Sequence, residues 1–538
     1  MELPARFVER VLRDLGEAEG RALCAALDTP SPVSIRLNPA KCGADEGSCR
    51  IPGEDALRIS GEDVAAECAG LVSGKCAGPI PGACAAEGAD SRVPVTGVAG
   101  GSVCRVSGAE AADGSAATCD DAVAGLLRRL GATERVPWSD AGWYLAARPL
   151  FTLDSDFHAG AYYVQEASSQ VVGRLLGGDA LRGARVLDLC AAPGGKTTLY
   201  ASLVGTEGLV VANEIDRRRA QVLADNVRKW GTGNVAVTCC EPRTVCDFEA
   251  WFDVVAVDAP CSGEGMFRKD DGARAEWSEG NVRMCAARQD DILREAWRAL
   301  RPGGTLLYST CTFNRDEDEG SLERLAAWAG GELAEAPEVR MDAAWGVVCG
   351  RVGVFRTFRF YPHRARGEGF FAAVARKAPD AGGRTRTPKA RRSIISAVDR
   401  TSAAELARWL REPERMRFGE VAGTCYAWYA AQAEAVRQLS DALPVICSGV
   451  ALGQIFKGRL KPDGALALFA GLDRGAVPVA ELGEEEALRY LRRQEIAAQG
   501  LAEGVNLVCA RGRALGFAKR IGVRVNNMYP NSLRIVMK

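Results

Sequence analysis

The chain has 538 residues, 47% of them hydrophobic and 25% charged, with a formal net charge of −1. These values describe a soluble globular protein with chain for about three or four domains. No run of about 18 apolar residues occurs, which argues against a membrane span, and the start, Met1 to Phe7, lacks a signal-peptide pattern, so a cytoplasmic monomer is expected.

The small net charge hides an asymmetry. Residues 41–120 carry a net −6, whereas from Arg511 to the end there are seven Lys/Arg and no Asp/Glu. A basic tail is compatible with an anionic partner or with a solvated face. Nineteen cysteines in a long, unexported chain are expected to be reduced. There are two histidines and no Cys-x-x-Cys, so no metal is expected, and Ser-His-Asp or Cys-His catalysis is disfavoured.

In chain order, Phe7, Val8, Val11, Leu12 and Leu15 recur at helical spacing, and Ser34 to Pro39 reads as a strand closed by a turn. Residues 42–120 are rich in Gly, Ala, Ser and acids, hold seven cysteines and show little periodicity. They are expected to be a disordered insertion; a cysteine metal segment is the sharper alternative, but the spacings fit no template. Order resumes with a helix at Asp121–Leu130. From Arg185, strands at Val186–Leu189, Gly208–Asn213, Val235–Thr238, Asp253–Val257 and Thr305–Ser309 alternate with helices. Phe355–Phe360 and Gly369–Ala375 read as a closing hairpin. The alternation predicts an α/β fold with a doubly wound, mostly parallel sheet. Residues 378–393 are a basic Pro/Gly linker. A small α+β domain over 394–480 follows, then a helix at Glu484–Gln494 and short strands near Val505–Val508, Leu515–Ala518 and Leu533–Val536.

Two stretches carry chemistry. Asp188-Leu-Cys-Ala-Ala-Pro-Gly-Gly-Lys-Thr-Thr198 runs from a strand through a glycine turn into a helix. The Walker pattern would need glycine where Cys190 stands, and Gly-x-Gly-x-x-Gly is absent. Glu214, at the end of the next strand, can accept from both hydroxyls of a ribose. A glycine turn and a ribose acid without a phosphate-binding pattern point to a nucleoside ligand such as S-adenosylmethionine; an ordinary tight connection is the bland alternative. The second stretch is Asp258-Ala-Pro-Cys-Ser-Gly-Glu-Gly-Met-Phe-Arg-Lys269. Cys261 follows the fourth strand, and Cys311, in Ser309-Thr-Cys-Thr-Phe-Asn314, follows the fifth. A lone buried cysteine is usually packing, but two at the ends of neighbouring strands would share one pocket. Asn314-Arg-Asp-Glu317 has the form of a capping box, so a helix N-terminus is expected just beyond Cys311, favouring a thiolate. Arg268 or Lys269 would assist. His158 and His363 are expected to be structural, and Trp138, Trp143 and Tyr144 to be core.

The two thiol motifs together resemble the RNA (cytosine-5)-methyltransferases of the Nop/Sun class, most closely its bacterial ribosomal small-subunit methyltransferase F branch. The resemblance covers about residues 1–40 and 121–377, including Arg36-Leu-Asn-Pro39, Tyr163-Val-Gln-Glu-Ala-Ser168 and Phe360-Tyr-Pro-His-Arg-Ala-Arg-Gly-Glu-Gly369. Gly516 to Gly522 and Asn527-Met-Tyr-Pro530 resemble the branch's PUA-like RNA-binding module. The resemblance implies a Rossmann-like class I methyltransferase domain over 161–377. It implies an N-terminal RNA-recognition extension over 1–40 and 121–160, and a PUA-like domain over 481–538. It further implies S-adenosylmethionine as cofactor, bound by Cys190, Ala191, Ala192, Pro193, Gly194, Gly195, Lys196, Glu214 and Asp258. Glu241 stands where the family usually has Asp. Cys311 would add to carbon 6 of a cytosine, Asp258 would hold the base edge, and Cys261 would serve product release. The implied substrate is RNA, namely 16S ribosomal RNA or the small subunit. Transfer RNA, or a non-catalytic RNA-binding assembly role, are the alternatives.

Overall fold

The structure is a computed structural model that describes residues 2–42, 119–390 and 393–537. Most of the expected insertion at 41–120 lies outside the described residues.

The central sheet is built from apolar runs that are buried on both faces. Seven of its ten strands are β1 (Arg185–Asp188), β2 (Leu209–Asn213), β3 (Val235–Thr238), β4 (Phe252–Asp258), β5 (Leu300–Thr310), β6 (Phe355–Phe360) and β7 (Phe370–Lys377). Their spatial order is β6-β7-β5-β4-β1-β2-β3, with β1 to β5 parallel and β7 antiparallel to both β5 and β6. Successive side chains alternate faces. Val186, Val210, Ala212 and Val254 pack under the helices Gly195–Val204 and Arg217–Trp230, through Leu199, Tyr200 and Leu223. Leu187, Val211, Val255 and Tyr308 pack on the other face against Leu293, Ala296 and Trp297 of the helix Glu279–Ala299. Burial on both faces explains why these strands read as unbroken apolar runs. This is the expected doubly wound fold, and its order reverses between β1 and β4, where such sheets bind ligands beyond their carboxyl ends.

The strand Val445–Ser448, which the sequence places inside the small domain, adds antiparallel to β3 at the sheet edge. Its partner edge would otherwise stay unpaired. Beyond it, Ser396–Ala397, Met416–Val421, Thr424–Tyr429, Val450–Phe456 and Arg459–Pro462 make a five-stranded sheet. The C-terminal sheet is ordered Val479–Glu481, Gly504–Ala510, Arg513–Ile521, Arg524–Asn527. Its Leu507, Cys509 and Phe517 share one core with Trp409, Leu452 and Phe469, so the expected boundary at 480/481 runs through common packing. The expected strand at Leu533–Val536 is absent. Pro530 turns the chain there, and Ile535 N–H bonds to the Leu491 carbonyl instead.

The N-terminal segment forms a four-stranded antiparallel sheet ordered Ala132–Arg135, Gly142–Leu145, Val33–Leu37, Tyr162–Val164. Arg36 fastens this sheet to the glycine turn. Its guanidinium donates to Gln165 Oε1 (2.7 Å), Gly195 O (3.1 Å) and Thr198 Oγ1 (2.7 Å), and lies 4.5 Å from the Trp230 ring centroid. Trp138, Trp143 and Tyr144 are buried. His158 lies between Thr152 O (3.0 Å) and Tyr529 Oη (3.2 Å), and His363 meets Glu19 at 2.8 Å.

The basic tail is not wholly a free cationic face. Arg511 and Arg513 reach Asp156 at 3.3 and 2.9 Å, and Arg129 pairs with the same carboxylate, whose side chain is 0% exposed. Arg511 also meets Asp154 (3.0 Å) and Glu484 (2.6 Å). Removing one partner of such a buried group strands the others. Asp156→Ala is expected to cost about 3 kcal/mol of stability, read by denaturant unfolding. A loss within about 0.5 kcal/mol, the usual range for a surface substitution, would show that the cluster does not hold the C-terminal sheet in place.

Candidate active site

Both thiols leave the carboxyl ends of adjacent parallel strands. The β4–β5 register sets Asp258 opposite Ser309, so Cys261 and Cys311 emerge side by side. Their sulfurs stand 3.2 Å apart. Contact with Cys311, followed by burial, pushes the Cys261 thiol well above its ordinary range. Cys261 is therefore held protonated beside its neighbour.

The two loops are clamped together by buried carboxylates. Glu317 accepts from Ser262 N (2.9 Å), Gln289 Nε2 (2.8 Å) and Asn314 Nδ2 (2.6 Å). Glu264 accepts from Phe313 N (3.0 Å) and Trp277 Nε1 (2.9 Å). Ser262 and Thr312 hydroxyls meet at 3.0 Å, and Gly265 N–H donates to Cys311 O at 2.8 Å. A Cβ on Gly265 would lie 2.6 Å from Gly369 O and 2.9 Å from Cys311 O, so only glycine permits this approach.

Two expectations about Cys311 are corrected. The Asn314-to-Glu317 turn forms, with Glu317 N–H donating to Asn314 Oδ1 at 2.9 Å, but it does not start a helix; the next helix is Glu319–Ala329. Burial of Glu317 as an acceptor for Ser262 and Gln289 outweighs its local capping preference. Arg268 and Lys269 are engaged elsewhere. Arg268 donates to Thr29 O (3.1 Å) and Gly367 O (2.9 Å), and Lys269 stands 3.7 Å from Glu368. The cation of the site is Lys196. Its Nζ lies 2.8 Å from Asp258 Oδ2, while Ser309 Oγ donates to Asp258 Oδ1 at 2.8 Å. Burial opposes the Lys196 charge, yet Asp258 holds its pKa above the ordinary value.

The glycine turn occupies the next crevice. Gly194 has φ +110°, and a Cβ there would meet Leu223 at 3.0 Å. Thr198 is the first amide of the helix to bond back, to Gly194 O at 2.9 Å, which leaves the preceding N–H groups at the turn to present to a ligand. Glu214 is buried at the end of β2, accepting from Asp216 N (3.0 Å) and facing Arg219 at 3.2 Å. Arg219 also reaches Ala192 O at 3.0 Å, bridging turn and acid. Glu241 follows β3, exposed and without a capping bond. Cys190, Ala191, Ala192 and Pro193 make the turn itself, and burial pushes the Cys190 thiol up. Ala191 N–H donates to Asn213 O at 2.9 Å. A glycine cradle, free amides and a buried ribose acid fit S-adenosylmethionine. Ser309, Gln289 and Arg219 were not singled out from the sequence, and Glu317 was singled out only as a helix cap. Their signal is tertiary, except that Ser309 lies opposite Asp258 once the strands are paired. Among the described residues no group of three or more His, Cys, Asp or Glu is arranged to hold a metal, and no helix is long and apolar enough to cross a membrane.

Residues 179–376 match the family model described as 16S rRNA methyltransferase RsmB/F, and residues 477–535 match the methyltransferase RsmF PUA domain. The chain is 31% identical over 428 residues to ribosomal RNA small subunit methyltransferase F of Erwinia tasmaniensis, covering 74% of this chain and 84% of that protein. It is 33% identical over 425 residues to the Salmonella heidelberg protein of the same name, with the same coverage. A solved methyltransferase homologue from Pyrococcus horikoshii is 22% identical, with a TM-score of 0.45 over 69% of this chain and 94% of its own.

Asp188, under the glycine turn, accepts from Thr197 Oγ1 at 2.6 Å. Burial, opposed by that bond and reinforced by Asp258, raises its pKa from 3.8 to about 7. The folded protein thus holds a proton that the unfolded chain releases. The stability this supplies is full below 3.8 and is lost as pH rises toward about 7. Asp188→Asn should flatten the fall of unfolding free energy across that window relative to wild type. Parallel curves would show that Asp188 is ionised in the fold.

Proposed function

Because the chain belongs to the RsmB/F family of 16S rRNA methyltransferases, we propose that it methylates carbon 5 of a cytosine in 16S ribosomal RNA through a covalent thiol adduct. The observation that carries this reading is the 3.2 Å approach of Cys261 and Cys311 beside the Lys196–Asp258 pair. S-adenosylmethionine supplies the methyl group as an electrophilic sulfonium.

Carbon 5 of cytosine is a poor nucleophile. The Cys311 thiol gives its proton to solvent and its sulfur adds to carbon 6, which forms a C–S bond, breaks the 5,6 double bond and moves the electron pair toward carbon 5. Asp258, fixed by Ser309 and Lys196, takes the N3 edge of the base in this adduct. Carbon 5 then captures the methyl group, and the pair of the methyl–sulfur bond stays on sulfur. Loss of the carbon 5 proton re-forms the double bond and returns the C–S pair to Cys311. Cys261 serves this release. The chief cause holding it protonated is the neighbouring sulfur. Bonding of that sulfur to carbon 6 removes this cause and leaves burial as the main one; Cys261 gives its proton to solvent and takes the proton that leaves carbon 5. The target cytosine must leave its stack to reach such a pocket. The PUA-type segment at 477–535 supports an RNA substrate.

Cys311→Ala is expected to reduce methyl transfer to background. Cys261→Ala is expected to accumulate a protein–RNA adduct that survives denaturing electrophoresis. Reversed roles, or two active variants, would sink the mechanism. Bisulfite sequencing of 16S RNA from a strain lacking the protein should show a missing 5-methylcytosine. An unchanged pattern would sink the substrate assignment, and a loss confined to transfer RNA would redirect it.

A further inference from the structure

A recess of about 390 Å³ lies apart from the two thiols. Its walls come from residues 148–164 of the N-terminal segment and from the last turns of the helix Arg217–Trp230. Phe151, Phe157, Tyr163 and Trp230 line it. Phe157 and Tyr163 are half-buried, whereas Trp230 is buried and carries Arg36 over its ring. Two cations, Arg148 and Lys229, stand at the recess with no ion-pair partner among the described residues. The Arg148 guanidinium is 5.7 Å from the Phe151 ring centroid, and Lys229 Nζ is 4.2 Å from that of Phe157.

Compensation among the described residues is small: Asp225 opposes the fall of the Lys229 pKa, but it is shared. Asp225, one turn earlier on the helix, is paired with Arg228 at 2.9 Å. Behind the recess, Lys41 Nζ is bonded to the carbonyls of Ala159 (2.6 Å) and Lys229 (2.5 Å). Burial, with the nearby Lys229 charge, lowers the pKa of Lys41 to about 7, and burial lowers that of Lys229 to about 8 against the opposing pull of Asp225. Two cations without an ion-pair partner among the described residues, above a buried lysine, bias the recess toward positive potential, so its occupant should carry negative charge. S-adenosylmethionine, with its sulfonium and ammonium, does not meet that need. A nucleotide does, and the volume is of the right order for one. Aromatic rings take unstacked bases of any sequence, and lysine and arginine take the phosphate.

We propose that this recess is a second nucleotide subsite, in which a ribonucleotide of the RNA substrate other than the target cytosine lays its base on Phe157 and Tyr163 and its phosphate on Lys229 and Arg148. The proposal rests on the RNA reading above. The subsite also touches the cofactor turn. Tyr163 Oη and Asn226 Nδ2, both at the recess, donate to Pro193 O at 3.2 and 2.9 Å.

The test uses the full chain with Phe157→Leu, Lys229→Gln and Arg148→Ala variants, a 16S transcript, and a single-stranded oligonucleotide carrying 5-bromouridine. Each variant should raise KM for the transcript by roughly tenfold, with kcat at saturating RNA and the calorimetric Kd for S-adenosylmethionine unchanged. Photocrosslinks of the oligonucleotide should map to peptides from 148–164 or 217–230. Unchanged KM with crosslinks only elsewhere would overturn the subsite. So would loss of cofactor affinity at unchanged KM, which would give the recess to the cofactor. Crosslinking is read without methyl transfer. A wild type that crosslinks through these peptides yet methylates no 16S RNA would therefore sink the activity and keep the subsite.

Discussion

The register between β4 and β5 is the constraint on which the rest depends. Asp258 opposite Ser309 puts a carboxylate and a hydroxyl within hydrogen-bond reach, and the loops that leave the two strands carry the two sulfurs into one crevice. Side chains alternate along a strand, so a slip of one residue would turn Asp258 or Ser309 to the opposite face. The apolar filling of both sheet faces enforces that register at a distance from the chemistry. Precision at the site is thus inherited from packing that touches no substrate.

The crevice concentrates acids that water would normally solvate. Each is compensated differently. Asp258 has Lys196, Glu214 has Arg219, Glu317 has three donors, and Asp188 keeps a proton to about pH 7. Buried carboxylates without such partners would cost several kcal/mol each. The arrangement leaves Asp258 at the thiol crevice and Glu214 at the glycine turn, with the clamp acids turned inward to brace the loops.

Much of this was legible before the fold was known. Apolar runs of strand length, each followed by a helix, gave the sheet, and Pro-Cys-Ser-Gly with Thr-Cys-Thr gave the thiol pair. The parts that were not legible share a cause. Glu317 sits in a local capping signal, yet its carboxylate is claimed by Ser262 and Gln289, 55 and 28 residues away. Arg511 and Arg513 look like tail charges, yet they answer Asp156, 355 and 357 residues away. Arg524–Asn527 is a strand because it pairs with the preceding one, although its polar residues advertise none. Local patterns state what a segment prefers; partners brought in by the fold decide what it does.

The three-arginine cluster around Asp156 has a consequence for how a large substrate is met. With the C-terminal sheet pinned to the N-terminal segment, its surface and the thiol crevice form one rigid gauge rather than two heads on a tether. A tethered pair must forfeit freedom on engaging both contacts, whereas a pinned pair has forfeited it during folding. On the proposed function, the nucleotide that falls at the sulfurs would then be set by the span of the protein, measured from wherever the distal surface seats.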